Sequence, residues 1–415
     1  MPKKINDSMK ADPRVAIIKT DIGIKKAIKE SLNRIGGLDR FIKKGETVFV
    51  KPNLGANISP STGAVTNPEV SKALIEIIWE QKPGRVLLGD SPAWGIDSET
   101  VYDTTGARQV AEETGCTLVN LDKDEKIECT IPNGERLKKI MVAKTILDCD
   151  KLINVPVMKT HVACIVSLGL KNMKGVLPLK LKTSLHHLDP KNGYSGLETG
   201  VADLHRLIQP NLTVVDGTTG MEGFGPLDGD PVNMDLIISG ENAVFVDAVC
   251  AAVMGFDPKE IPTIKLCAEN DSINLEDYQL VGLSIKEVKR PFKPCPTEIC
   301  AGKNVKVSIG LACTGCLAAL NTALYRLLKT NRLENVRDLL ICVGKNPEIP
   351  FEAERVLYMG KCAVESQLSQ TSKEAYFVKG CPPVPMKIVQ HIMEALLKES
   401  FSLYEFHQSA QKDSK

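Results

Sequence analysis

Four cysteines in the last quarter of the chain stand where ligands would. Cys313 and Cys316 are separated by two residues in LACTGC, Cys362 lies in YMGKCAV, and Cys381 follows Gly380 in YFVKGCPPVP. Each loop comes after a short apolar run that reads as a strand: VKVSIG, ERVLYMG and AYFVKG. Parallel strands end at one edge of a sheet, so three loops can bring four thiols together. The close pair also opens a predicted helix, whose unpaired N–H groups stabilise thiolates and inorganic sulfide. Four thiolates suit tetrahedral zinc or a cubane iron–sulfur cluster. Zinc knuckles usually use two close pairs. Here one pair is joined by single cysteines followed by Ala363 or by Pro382 and Pro383, which favours a [4Fe–4S] cluster. A redox dithiol and four merely buried thiols are the other readings. Cys116, Cys149, Cys164, Cys250, Cys267 and Cys342 sit in apolar or helical contexts and read as buried small hydrophobes. The CPTEIC spacing of Cys295 and Cys300 is too wide for the usual close pair, and their role stays open.

A second set of polar residues falls at the ends of predicted strands in the first two thirds of the chain. Lys51 and Asn53 occur in VFVKPNLG, Asp90 in LLGDSP, Lys159 and His161 in VPVMKTH, and Lys171 and Lys174 in the turn LKNMKG. Asp216 opens DGTTGMEGFG, which holds Gly217, Gly220 and Gly223. Ligands of open α/β sheets sit beyond the carboxyl ends of the strands. Cations gathered there attract phosphate or carboxylate, and the backbone N–H groups of Gly217 to Gly225 complete a cradle. The glycine-rich stretch is neither GxGxxG nor a Walker loop, so no nucleotide is implied. His161 is the acid or base candidate because imidazole titrates near neutrality. Lys159 and Lys51 join it as catalytic candidates, with Asn53, Asp90, Lys171, Lys174, Asp216, Gly217, Gly220 and Gly223 expected to bind substrate. His186 and His187, in SLHHLDP, read as surface residues.

Positioning such residues requires a layered scaffold. Apolar runs such as VAIIK, TVFV, RVLLG and KLINV alternate with helical patterns such as IKKAIKESLNR and PEVSKALIEIIW. That alternation predicts an α/β fold of Rossmann-like parallel-sheet lobes, with a smaller C-terminal α/β cluster-binding lobe. Residues 1–280 form the N-terminal α/β region, expected as two lobes around a cleft. Residues 281–302, rich in proline and basic residues, read as a linker, 303–400 as the iron–sulfur lobe and 401–415 as a flexible tail.

A chain of 415 residues can fold without staples, so its 13 cysteines need another reason than stability. The start MPKKINDSMK carries no apolar signal segment, and a reducing cytoplasm is the expected setting. No apolar run is long enough for a membrane span. Lys plus Arg is 52 against 51 Asp plus Glu, which offers no global field for nucleic acid or an anionic membrane.

The segments VFVKPNLG, LLGDSP, INVPVMKTH and LGLKNMKG, in that order, resemble the microbial family catalogued as domain of unknown function three-six-two, over roughly residues 13 to 270. Members are often described as iron–sulfur associated, many through an added ferredoxin-type segment. This chain lacks a CxxCxxCxxxCP run, and the four-cysteine lobe stands in its place. That lobe is loosely similar to the cluster-bearing small subunits of nickel–iron hydrogenases and related quinone oxidoreductases, where CxGC, a lone cysteine and a GCPP element hold one cluster. By that resemblance Cys313, Cys316, Cys362 and Cys381 would be the ligands, with electron transfer as the role. A more distant similarity is to the nickel-pincer lactate racemases, which set histidines and lysines in a cleft between two α/β lobes. Lys159 and His161 are the comparable residues here, and no nickel is inferred.

Together these readings predict a cytoplasmic, oxygen-sensitive [4Fe–4S] oxidoreductase or electron-transfer protein acting on or with an anionic small molecule. Such a protein is suited to a redox protein partner or to a homodimer. Two alternatives stand beside it: a non-redox hydratase or isomerase using a cluster, and a cluster-carrying scaffold.

Overall fold

The computed structural model describes residues 13–93, 95–350, 354–366, 374–399 and 401–402. The tail expected over 401–415 lies outside the described residues from 403 onward. The chain divides into two compact units, Met1–Cys295 and Pro296–Lys415.

The first unit begins with β1 (Arg14–Lys19), β2 (Thr47–Pro52), β3 (Arg85–Asp90) and β4 (Thr117–Asn120). A hairpin of β5 (Lys126–Thr130) and β6 (Lys139–Ala143) follows. Then come β7 (Lys151–Val155), β8 (Val157–His161), β9 (Ile165–Ser167), β10 (Leu212–Glu222), β11 (Asp230–Gly240) and β12 (Gln279–Gly282). Apart from the hairpin they make one ten-stranded sheet in the order β12-β1-β11-β10-β7-β2-β3-β4, with β8 and β9 branching from β10. The sheet is mixed where the strand–helix alternation predicts a parallel one. β11 runs antiparallel to both β1 and β10, and β9 antiparallel to β8.

Side chains alternate along each strand, and both faces are apolar. Val15, Ile17, Phe49, Leu87 and Leu152 point to one core, shared with the helices Gly196–Leu207 and Ala243–Val253. Ala16, Ile18, Val48, Val50 and Leu88 point to the other, under the helices Ile24–Arg34 and Pro68–Trp79. Each such aliphatic side chain contributes roughly 1.5–3 kcal/mol on full burial. This two-sided cover holds the strand ends, where the polar residues sit, in fixed positions.

The second unit holds β13 (Val305–Ile309), β14 (Leu339–Val343), β15 (Arg355–Met359) and β16 (Glu374–Val378), all parallel and in chain order. The helices Thr314–Lys329 and Pro385–His391 share one face with Leu339, Ile341 and Leu357. Leu340, Cys342, Val356 and Tyr358 pack on the other, where Tyr358 stacks on Phe377 at 5.4 Å. No helix among the described residues is long and apolar enough to cross a membrane.

Candidate functional site

Lys51 sits at the carboxyl end of β2, level with Asn154 of β7. Its ammonium meets Asp90, from the end of β3, at 2.8 Å, and both side chains are buried. The other Asp90 oxygen accepts from the backbone N–H of Leu54 at 2.8 Å. Burial pulls the Lys51 pKa down from the ordinary lysine value, against the pull of Asp90. Pro156 interrupts the line of β7, which resumes as β8 alongside β10. Lacking an N–H, this proline frees the strand to swing away. The displaced strand carries Lys159 and His161 inward, and both are buried.

Lys159 Nζ donates to the Ala64 carbonyl and, at 3.3 Å, to Asn53 Oδ1. Burial, then the charge of Lys171, push its pKa down to about 7. In the neutral amine both hydrogens are therefore directed and one lone pair is left over. The imidazole of His161 accepts from the Ala163 N–H through Nδ1 at 2.9 Å, which puts the proton of the neutral ring on Nε2. Burial, then Lys171 and Lys174, hold it well below the usual imidazole range. At neutral pH His161 is a hydrogen-bond donor through Nε2 rather than the charged acid.

Lys171 and Lys174 come from the helical turn after β9 and are only partly buried. Lys174 Nζ lies 3.3 Å from His186 Nε2, and its pKa is also pushed down to about 7, by burial and then by Lys171. Half-buried His186 is thus part of the group, contrary to its reading as a surface residue, while His187 is exposed.

An amide chain fixes these groups. Asn53 Nδ2 donates to Asn172 Oδ1 at 2.9 Å, Asn172 Nδ2 to Asn154 Oδ1 at 2.7 Å, and Asn154 Nδ2 to the Gly169 carbonyl at 3.0 Å. Asp247, on the apolar helix Ala243–Val253, accepts from the N–H groups of Gly169 and Leu170 at 2.7 and 2.9 Å. Lys182 meets Ser91 O, Ser91 Oγ and Pro92 O, so its amine is satisfied within the protein, and burial pushes its pKa down to about 7. Asn154, Asn172, Lys182 and Asp247 have no expected role in the sequence reading; a lone carboxylate inside AVFVDAVCAAV is the one signal that marks any of them.

Lys51, Asn53, Asp90, Lys159, His161, Lys171 and Lys174 are therefore linked by hydrogen bonds or by mutual electrostatic influence. The Asp216 stretch is engaged elsewhere. Asp216 accepts from the Asn67 N–H at 2.7 Å and from the Thr218 N–H and hydroxyl at 3.0 and 2.7 Å. It thereby anchors the cap of the helix Pro68–Trp79. The stretch read as a glycine-rich loop is strand up to Glu222, paired with β11 across a bulge between Gly217 and Thr219. A Cβ on Gly220 would stand 2.7 Å from the Met158 carbonyl and one on Gly217 2.8 Å from that of Leu236, so these glycines permit close strand contact. Gly223 follows β10 at a φ of 71°.

In the second unit Cys313 caps the helix Thr314–Lys329, Cys316 lies in its first turn, Cys362 follows β15 and Cys381 follows β16. Cys316 is buried and hydrogen-bonded to Cys313, within electrostatic reach of Cys381 and Cys362. A Cβ on Gly360 would stand 3.1 Å from Cys316 Sγ, a tight contact, and its φ of 87° favours glycine where the loop after β15 closes over that thiol. The Lys361 N–H ties this loop to the Gly380 carbonyl at 2.8 Å. Among the described residues no group of three or more His, Cys, Asp or Glu is set to hold a single metal ion. Four thiols on three converging loops have the donor chemistry of an iron–sulfur cluster, which is larger than one ion and separates its ligands accordingly.

Residues 48–252 match the family described as Domain of unknown function (DUF362). This part of the chain belongs to that family. A thylakoid-associated protein of Synechocystis sp. is 28% identical over 238 residues, 57% of this chain and 72% of that protein. Among solved structures, the lactate racemase apoprotein of Thermoanaerobacterium thermosaccharolyticum aligns with 99% of this chain and 87% of its own, at 12% identity and a TM-score of 0.40. A Thermotoga maritima protein aligns with 79% of this chain and 72% of its own, at 11% identity and a TM-score of 0.31.

Proposed function

We propose that this DUF362-family chain is a cytoplasmic non-redox enzyme of the isomerase or hydratase kind, which binds a small anion among its buried lysines and moves a proton to or from carbon. The observation that carries this reading is the state of Lys159: an amine with a pKa near 7, two hydrogens fixed by Ala64 and Asn53, and a lone pair to spare. A general base works best with a pKa near the operating pH. Lys159 takes a proton from the carbon next to a carboxylate and becomes an ammonium. Lys171 and Lys174 carry the negative charge that develops on the carboxylate oxygens. Return of the proton to the opposite face of that carbon, or to a neighbouring one, gives an isomerase; loss of a neighbouring hydroxide, protonated by the Lys159 ammonium and oriented by a hydrogen bond from His161 Nε2, gives a hydratase.

Cys313, Cys316, Cys362 and Cys381 are the residues that would hold a [4Fe–4S] cluster in the second unit. When bound, a cluster with four cysteine ligands supplies one-electron transfer or a structural cross-link. The exposure of Cys362 and Cys381 favours a second reading, electron exchange with a redox protein.

The test is to incubate the anaerobically prepared chain in deuterium oxide with small carboxylates that carry an acidic C–H, and to follow deuterium uptake by proton NMR. Exchange that Lys159→Met abolishes while iron content stays unchanged supports the enzyme. Absence of exchange across the panel, together with reversible reduction of the cluster, favours the electron-transfer reading.

A further inference from the structure

Lys51 and Lys182 are satisfied within the protein, the first by Asp90 and the second by three oxygens of Ser91 and Pro92. Lys159, Lys171 and Lys174 are not matched in this way: no carboxylate pairs with any of them among the described residues. The Lys171 side chain has neither a hydrogen bond nor an ion pair among the described residues and burial draws its pKa down from the ordinary lysine value, yet it is the amine whose charge bears on Lys159, Lys174 and His161. Lys171, Lys174 and His186 are the partly open members of the group, whereas Lys51 and Lys159 are buried, so a ligand arrives from the Lys171 side.

We infer that this site is built for a small dianion, of the phosphate or dicarboxylate type, which Lys159, Lys171 and Lys174 hold together and which enters with uptake of protons. The inference rests on the reading above that these amines form the ligand site, and it adds the charge of the ligand. One negative charge answers Lys171 alone and leaves its neighbours no reason to be charged. Two negative charges support ammonium groups on Lys159 and Lys174 as well, and the fraction of Lys159 that stays an amine is the base of the reading above. The groups facing Lys159 are Lys171, Asp90 and Lys51; those facing Lys174 are Lys171, Cys164, Lys182 and His186.

With both amines at about 7 in the empty site, each is mostly neutral at pH 8. A bound dianion raises both, so binding at pH 8 takes up as many as about two protons. Dianion affinity is therefore full below pH 7 and falls as pH rises through the range above it.

Isothermal titration calorimetry of the full chain with sulfate, oxalate and acetate, at pH 8 and fixed ionic strength in two buffers of different ionisation enthalpy, tests this directly. One additional charge-assisted hydrogen bond, at roughly 1.5–3 kcal/mol, predicts that a dianion binds at least about tenfold more tightly than acetate. Sulfate ahead of oxalate marks a phosphate-type ligand, and the reverse a dicarboxylate. Lys171→Met is expected to weaken dianion binding about tenfold, with Lys25→Met, on the exposed surface, unchanged. The proton count comes from the unaltered chain, so the outcome does not depend on the folding of a variant. Equal affinity for acetate and the dianions, or dianion binding with no proton uptake, overturns the inference. Sulfate and oxalate carry no C–H, so they bind whether or not the chain catalyses exchange, and the two readings fail separately.

Discussion

Gly175 stands directly over the ion pair on which the lysine group is built. A Cβ there would lie 1.8 Å from Asp90 Oδ1, 2.6 Å from Lys51 Nζ and 2.7 Å from Lys51 Cε. The carboxylate has little room to retreat: Oδ2 accepts from Leu54, and the Asp90 carbonyl accepts from the Tyr102 hydroxyl at 2.6 Å. Gly175→Ala must therefore part Lys51 from Asp90 or displace the Met173–Val176 turn. Overpacking costs about 1–3 kcal/mol and breaking a buried pair about 3–5 kcal/mol, so a loss of about 3–5 kcal/mol is expected. For a unit of this size that lowers the unfolding midpoint by about 10 °C. Thermal unfolding of the full chain, followed by circular dichroism, reads the change, and a cycle with Asp90→Ala isolates its cause. With the carboxylate gone, the added methyl group should cost only about 1 kcal/mol, the low end of overpacking. An equal penalty in both backgrounds, or none in the unaltered chain, refutes steric contact with the ion pair.

Asp247 anchors the turn that carries Lys171, and an asparagine can accept only one of its two N–H bonds well. Asp247→Asn is expected to raise amide hydrogen exchange at Gly169 and Leu170 and to weaken sulfate binding by about tenfold, the worth of one charge-assisted bond, with circular dichroism unchanged. Faster exchange with unaltered sulfate affinity would detach Asp247 from the ligand site. Cys381→Ala should lower the iron and acid-labile sulfide of anaerobically prepared protein to near zero and destabilise the second unit, since a bound cluster adds to folding free energy. Stoichiometric zinc without sulfide would remove the cluster from the account.

Much of the scaffold is legible in the sequence because apolar runs bounded by polar turns mark both faces of a buried sheet. TVFV, RVLLG and KLINV give β2, β3 and β7, and Lys51 and Asp90 can be named because each ends such a run. β11 escapes notice since its first half, DPVNMD, is mostly exposed and offers only Val232 and Met234 as apolar alternation, too short a run to stand out as a strand. Its antiparallel insertion makes the sheet mixed. The glycines of DGTTGMEGFG suggest a loop by composition, yet Gly217 and Gly220 serve a strand that passes close to Leu236 and Met158. Asn154, Asn172 and Lys182 are illegible for another reason. Their partners lie 15 or more positions away in the chain, and only the fold brings them together.

The claim at the centre is that buried amines of this site titrate near neutrality and recharge when a dianion arrives. Heteronuclear NMR of the chain labelled at the lysine ε-carbon, titrated from acid to alkaline pH with Lys159→Met and Lys174→Met for assignment, measures this most directly. Lys159 and Lys174 are expected to titrate at about 7, and their resonances to move to clearly higher titration midpoints when sulfate is added. Lysine signals that all titrate in the ordinary range around 10.4, or that ignore sulfate, would contradict it.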